Sequence, residues 1–227
     1  MSTSEFTGFP PAAPRFFRAL AKNNDKAWFE AHRADYEESV LGPARAFVVE
    51  VGKRLAKDVP GINADPRTDR SIFRLHRDIR FSPDKSPFKT HLGILWWEGL
   101  GHKLESAGFY FQLSATEIYL GDGFYQFSKD ALAAYRERVL DPKAGPALQR
   151  AAREVERRGY TVGGEQTQRV PRGLDPEHPR ADLLRRKGLY AGLSLGLPAE
   201  SSGPELVDLV HGHFKAMLPL HRQLRVL

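Results

Sequence analysis

The pattern of apolar and polar positions changes period twice along the chain. Residues 10–57 follow a helical rhythm. Pro14 lies near a helix start, and Phe16, Phe17 and Leu20 follow at amphipathic spacing. Asn23-Asn24 breaks that run, and Asp25 is placed to cap the next helix, which carries Trp28, Phe29, His32 and Tyr36 on or near one face. Pro43 opens a third helix with Phe47, Val48, Val51 and Leu55 inward, closed by the turn signal Pro60-Gly61.

In the middle, the period shortens to that of strands. Residues 71–76, 92–98, 108–114 and 116–121 read as strands of an antiparallel sheet, with a tight turn at Ser114-Ala115. Helical spacing returns from Ser128 to about Leu140 and from Pro146 to Arg158, and a turn-rich stretch covers 160–178. A short helix at 180–187, a strand at Tyr190–Leu195 and a C-terminal helix starting near Gly203-Pro204 complete the reading. Helices before and after a mostly antiparallel sheet specify an α+β fold, with the N-terminal and C-terminal helices packed on the sheet. With no repeat and no long linker, 1–227 reads as a single domain.

Composition narrows the classes. Apolar residues make up 41% and charged residues 27% of 227, enough for a sizeable core. There is no cysteine, which removes disulfides, thiolate metal sites and thiol nucleophiles and fits a reducing, cytoplasmic setting. The opening MSTSEFTGFPPAAP lacks the basic and apolar regions of a secretory signal, and no run of about 18 apolar residues marks a membrane span. The expected partners are therefore not membranes.

The net charge of +6 is unevenly placed. Residues 67–92 carry seven basic against three acidic residues, and 143–190 carry eleven against six. Either stretch can attract an anion or a phosphate backbone, or can simply be solvated.

Within the first stretch lies the richest constellation. Arg74, Arg77 and Arg80 recur every third residue, Ser82-Pro83-Asp84 and Ser86-Pro87 are turn signals, and Lys85 and Lys89 flank them. Guanidinium and ammonium groups on a proline-stiffened loop suit phosphate or carboxylate. Asp78 and Asp84 are candidate orienting groups or, if partly desolvated, general bases, and His91 is a candidate proton shuttle. The competing reading is an Arg–Asp network that only fixes loop geometry. No phosphate loop, zinc helix, nucleophile elbow or dinucleotide fingerprint is present.

Elsewhere, Trp96, Trp97, Phe109, Tyr110, Phe111 and Tyr119 suit a stacking platform or a core, the latter being commoner for alternating strands. His211 and His213 point apart on a helix, which disfavours a metal pair. His178, in Asp175-Pro-Glu-His178-Pro, either joins the site or caps a turn, and Arg136 is either a site cation or half of a surface ion pair.

Phe73 to Thr90 matches the run FRxxRDxRFSxDKxPYKT, with Phe88 where the pattern has Tyr. On that run the chain resembles the bacterial and fungal domain-of-unknown-function family 2461. The resemblance extends to Asn23-Asn24, Trp28-Phe29, Gly121–Tyr125, Arg172–Pro179 and Leu184–Lys187. It implies a site without supplying a reaction, and Phe88, lacking the hydroxyl, has no catalytic part in it.

The expectations are thus three. The first is a pocket for a phosphorylated or other anionic small molecule, built on Arg74, Arg77, Arg80, Lys85 and Lys89 with His178 as a further member. An enzymatic version uses Asp78, Asp84 or His91. The second is a nucleic-acid-binding module using both basic stretches, and the third an interaction protein with a purely structural network. Any cofactor and the oligomeric state stay open at this point.

Overall fold

The computed structural model describes residues 5–99 and 103–227. Helix α1 (Ala12–Lys22) buries Phe16, Phe17 and Leu20. Asp25 caps α2 (Lys26–Ala31), its side chain accepting from the Trp28 N–H at 2.9 Å. A short α3 (Arg33–Tyr36) and one π turn (Glu37–Leu41) lead into α4 (Gly42–Asp58), with Pro43 in its first turn where no N–H is missed. His32 ends α2, so the aromatic face divides: Trp28 stacks on His32 at 4.0 Å, while Phe29 packs against Tyr36 at 5.6 Å.

The strands are β1 (Ile62–Asn63), β2 (Leu92–Glu98), β3 (Gly108–Leu113), β4 (Glu117–Phe124), β5 (Thr161–Gly163) and β6 (Leu189–Gly196). They form one antiparallel sheet in the order β1-β2-β3-β4-β6-β5, and the fold is α+β as expected. Ser114 closes the β3–β4 turn, its N–H donating to the Glu117 carbonyl at 2.9 Å. Ser128 caps α5 (Lys129–Leu140), and α6 (Ala144–Arg157), α7 (Ala181–Leu184) and α8 (Leu206–Leu224) follow at or near the helical segments read from the periodicity.

Residues 71–76 are a correction. They do not form a named strand, although Phe73 donates to the Gly93 carbonyl at 3.0 Å and Leu95 to that of Ser71 at 2.9 Å. The chain then doubles back on itself: Arg77 N–H donates to Pro87 O at 2.9 Å and Lys89 N–H to Leu75 O at 2.8 Å. Prolines 83 and 87 supply no N–H, so the ladder stays broken and the segment is a strap beside β2.

The fold resolves into two compact units. One comprises the chain to Trp96, Tyr110–Leu120 and Ser194–Gly212; the other comprises Trp97–Phe109, Gly121–Leu193 and His213–Leu227. In the first, Phe47 of α4 lies 4.8 Å from Phe111 and 5.9 Å from Trp96, whose indole N–H donates to the Val48 carbonyl at 2.9 Å. In the second, Phe109 meets Phe214 at 5.1 Å, and Phe127 stacks on Tyr135 at 4.6 Å. Trp96, Trp97, Phe109 and Phe111 are all buried, so these aromatics are core rather than platform.

Candidate functional site

The strap is anchored at its root by one amide. Asn24 donates to the Phe88 carbonyl at 2.9 Å and accepts from the Phe88 N–H at 3.0 Å, much as a neighbouring strand would. Phe88 is buried, stacked on Phe29 at 4.4 Å with His76 edge-on at 4.8 Å. The upstream residues that share the family resemblance therefore hold the strap in place.

Its charges are shared out among separate partners. Arg74 Nε reaches Asp69 at 2.9 Å. Arg77 pairs with the Asp84 carboxylate and donates to Ser86 O and Ser82 Oγ, both at 3.3 Å. Arg80 forks onto Asp78 at 2.7 and 3.0 Å. Lys85 donates to the Ile79 carbonyl at 2.9 Å. The three arginines thus serve three different carboxylates. Asp69 is the partner that sequence reasoning left unassigned. Its backbone sits at φ 68°, the left-handed region that Asp tolerates better than most residues. Asp84 pairs with Arg77, not with Arg80 or Lys85.

These pairings set the acid–base character. The Arg80 hydrogen bonds hold Asp78 down at about 2. Hydrogen bonds from Ser86, then Arg77, do the same for Asp84. Both carboxylates are exposed and fully ionised at neutral pH, so the partial desolvation that a general base requires is missing. Burial, then the neighbouring Lys89 charge, lowers His91 to about 4, leaving a neutral imidazole.

Lys89 stands apart. Its half-buried ammonium lies 5.3 Å from the Phe73 ring centroid and forms no ion pair among the described residues. Burial first, then Arg74, pushes its pKa down, with Asp69 opposing. At the far end of the strap Phe81 is 92% exposed, with the Arg80 guanidinium 5.7 Å from its ring.

His178 lies in the second unit. There its ring Nδ1 accepts from the Arg180 N–H at 3.1 Å in the turn before α7. His211 bonds Asp58 at 2.7 Å, and His213 bonds the Tyr160 hydroxyl at 2.9 Å.

The second unit also holds a buried ionic cluster that no local pattern announced. His221, fully buried in α8, meets Asp122 at 2.6 Å through Nδ1 and Glu98 at 3.3 Å through Nε2, and Arg225 reaches Glu98 at 2.5 Å. Phe109 stacks on the imidazole at 4.4 Å. Burial alone would lower the His221 pKa, but Asp122 and then Glu98 outweigh it and raise it. Burial pushes Asp122 up, and one of its oxygens, Oδ2, is sealed in without a hydrogen-bond partner among the described residues. Gly123 beside it has φ 123°, and a side chain there would strike the Leu189 carbonyl. Glu98 and His221 are separated by 123 residues, so only the fold brings them together.

No helix among the described residues is long and apolar enough to cross a membrane. A family model described as "Conserved hypothetical protein (DUF2461)" matches residues 12–222. No curated protein matches the chain.

Proposed function

We propose that this chain, which belongs to the DUF2461 family of conserved hypothetical proteins, uses the strap of residues 70–92 to bind a phosphorylated or other anionic small molecule. The observation that carries the reading is Lys89: a half-buried ammonium set against an aromatic ring and a second cation, with no carboxylate of its own among the described residues. An anion reaching Lys89 and Arg74 would relieve that like-charge crowding by displacing the exposed Asp69 side chain from Arg74. Binding rather than acid–base chemistry is favoured at this segment, because Asp78 and Asp84 at about 2 hold protons too weakly to abstract one near neutrality. The Arg77–Asp84 pair, tied to Ser82 and Ser86, supports a structural part for those two residues, which keeps the loop in shape for its neighbours.

Calorimetric titration with inorganic phosphate, at constant ionic strength, tests the reading. Phosphate should bind the wild type at least tenfold more tightly than Lys89→Met, and Asp69→Asn should bind as well or better because Arg74 is released. Equal affinities in the wild type and Lys89→Met would remove the site.

A nucleic-acid reading draws support from the exposed Phe81 under Arg80, which suits stacking on a base, and from Arg150, Arg153 and Arg157, all exposed on α6. Its mark would be binding to a single-stranded oligonucleotide that weakens steeply with salt and is lost in Phe81→Ala.

A further inference from the structure

Two strand aromatics of the first unit stay outside its core. Trp96 and Phe111 meet Phe47 of α4, and Ile118 and Leu120 are fully buried. Tyr110, Gln112 and Tyr119, one residue out of phase, stand on the opposite face of β3 and β4, and all three are half-buried. On that face the Tyr110 ring lies 6.3 Å from Tyr119 and 6.2 Å from Phe73 of the strap, and the Lys89 ammonium lies 5.3 Å from Phe73. A single row of rings thus runs from β4 across β3 to the strap and ends at a cation. Gly93 of β2 makes room for it: a Cβ there would stand 3.0 Å from the Tyr110 hydroxyl oxygen and 3.3 Å from the Phe73 ring. The Tyr110 hydroxyl donates to Gln112 Oε1 at 2.9 Å, so the amide N–H groups are what Gln112 presents beside the rings.

Such a row suits a ligand of two parts. Lys89 and the neighbouring Arg74 call for an anion at one end. The rings offer π-faces on which a flat ring can stack, as single-stranded bases do on aromatic side chains. Amide donors beside them favour a ring with acceptor atoms on its edge over a plain hydrocarbon. We infer that the anion held by the strap is the phosphate of a nucleoside monophosphate, whose base stacks on Tyr110 and Tyr119 while Gln112 donates to its edge. This rests on the anion reading of Lys89 and names the class of molecule that carries the anion.

Calorimetric titrations of the full chain at constant ionic strength compare adenosine monophosphate, uridine monophosphate, ribose phosphate, inorganic phosphate and adenosine. Both nucleotides should bind at least tenfold more tightly than ribose phosphate, about the worth of one stacked base. Tyr110→Leu and Tyr119→Leu should each erase most of that advantage while inorganic phosphate binds as it does to the wild type, which also shows that the variants are folded. Tyr110→Phe keeps the ring and should keep the advantage. Lys89→Met should weaken nucleotides and inorganic phosphate alike. Ribose phosphate binding as tightly as the nucleotides, or Leu variants that retain the advantage, overturns the base site and leaves the anion reading standing. Absence of all phosphate and nucleotide binding removes the anion reading, and the base site with it. Adenosine binding as tightly as its monophosphate also overturns the proposal, because the phosphate would then take no part.

Discussion

At the scale of single residues, Lys89 and Asp84 respond oppositely to substitution. Asp84 accepts from the Ser86 N–H and pairs with Arg77, so Asp84→Asn should lower the melting temperature by leaving Arg77 without its counter-charge. Lys89 is held against burial and against Arg74. Lys89→Met should leave the free protein unchanged or slightly more stable, the stability cost commonly carried by binding sites. Denaturation midpoints measured without phosphate or sulfate check both, and a loss of about 2 kcal/mol for Lys89→Met would mark the lysine as a structural partner instead. Ionisation gives the same sign. A depressed Lys89 pKa means that the unfolded chain binds its proton more tightly, so this group disfavours folding at neutral pH. That penalty is relieved as pH rises through the interval below 10.5.

At the scale of elements, the strap depends on Asn24. Asn24→Ala leaves the Phe88 N–H and carbonyl without the two bonds they make, at a cost of about 2 kcal/mol. The same change should speed trypsin cleavage at Arg77 and Arg80, read by mass spectrometry; cleavage at the wild-type rate would mean that Phe88 packing alone anchors the strap. The elements also divide by how far the sequence discloses them. Helices were legible because caps and periodicity are local: Asp25 and Ser128 cap as their positions imply. Residues 71–76 read as a strand from the run Ser71-Ile72-Phe73-Arg74-Leu75, yet the return of the chain to pair Leu75 with Lys89 is a non-local event that a local run does not encode. Within the strap the basic residues were evident, and their neutralisation was not. Asp69 finds Arg74 only because a left-handed backbone turns it there. The Glu98–Asp122–His221 cluster was invisible for the same reason on a larger scale, since each member looks ordinary in its own segment.

At the scale of the whole molecule, strands β2, β3, β4 and β6 each contribute residues to both compact units. We propose that the chain unfolds as one domain. Far-ultraviolet circular dichroism and tryptophan fluorescence should then report one coincident transition, and two separated steps would overturn this. Its pH profile should be set by two histidines of opposite sign. His91, lowered to about 4 from 6.5, stays neutral in the folded protein while the unfolded chain takes up a proton. Stability therefore falls as pH drops from 6.5 towards 4, by about 2 kcal/mol after allowance for partial exposure. His221 is raised, so its contribution is complete below 6.5 and is lost as pH rises through its folded value. Melting temperatures across pH should peak close to 6.5, and His91→Asn should flatten the acid limb alone. An unchanged acid limb would mean that His91 does not govern it.

The His221 cluster has a consequence for descent. An imidazolium with carboxylates on both sides is tolerable only as a set: losing the histidine leaves Asp122 and Glu98 to repel each other, and losing Asp122 leaves a buried cation with only the longer contact to Glu98, at 3.3 Å. Intermediate genotypes are therefore disfavoured, and lineages should cross between solutions in linked steps. Among related chains, positions 98, 122 and 221 are expected to covary, either all ionic or all apolar with matched volume, while their immediate neighbours in sequence drift independently.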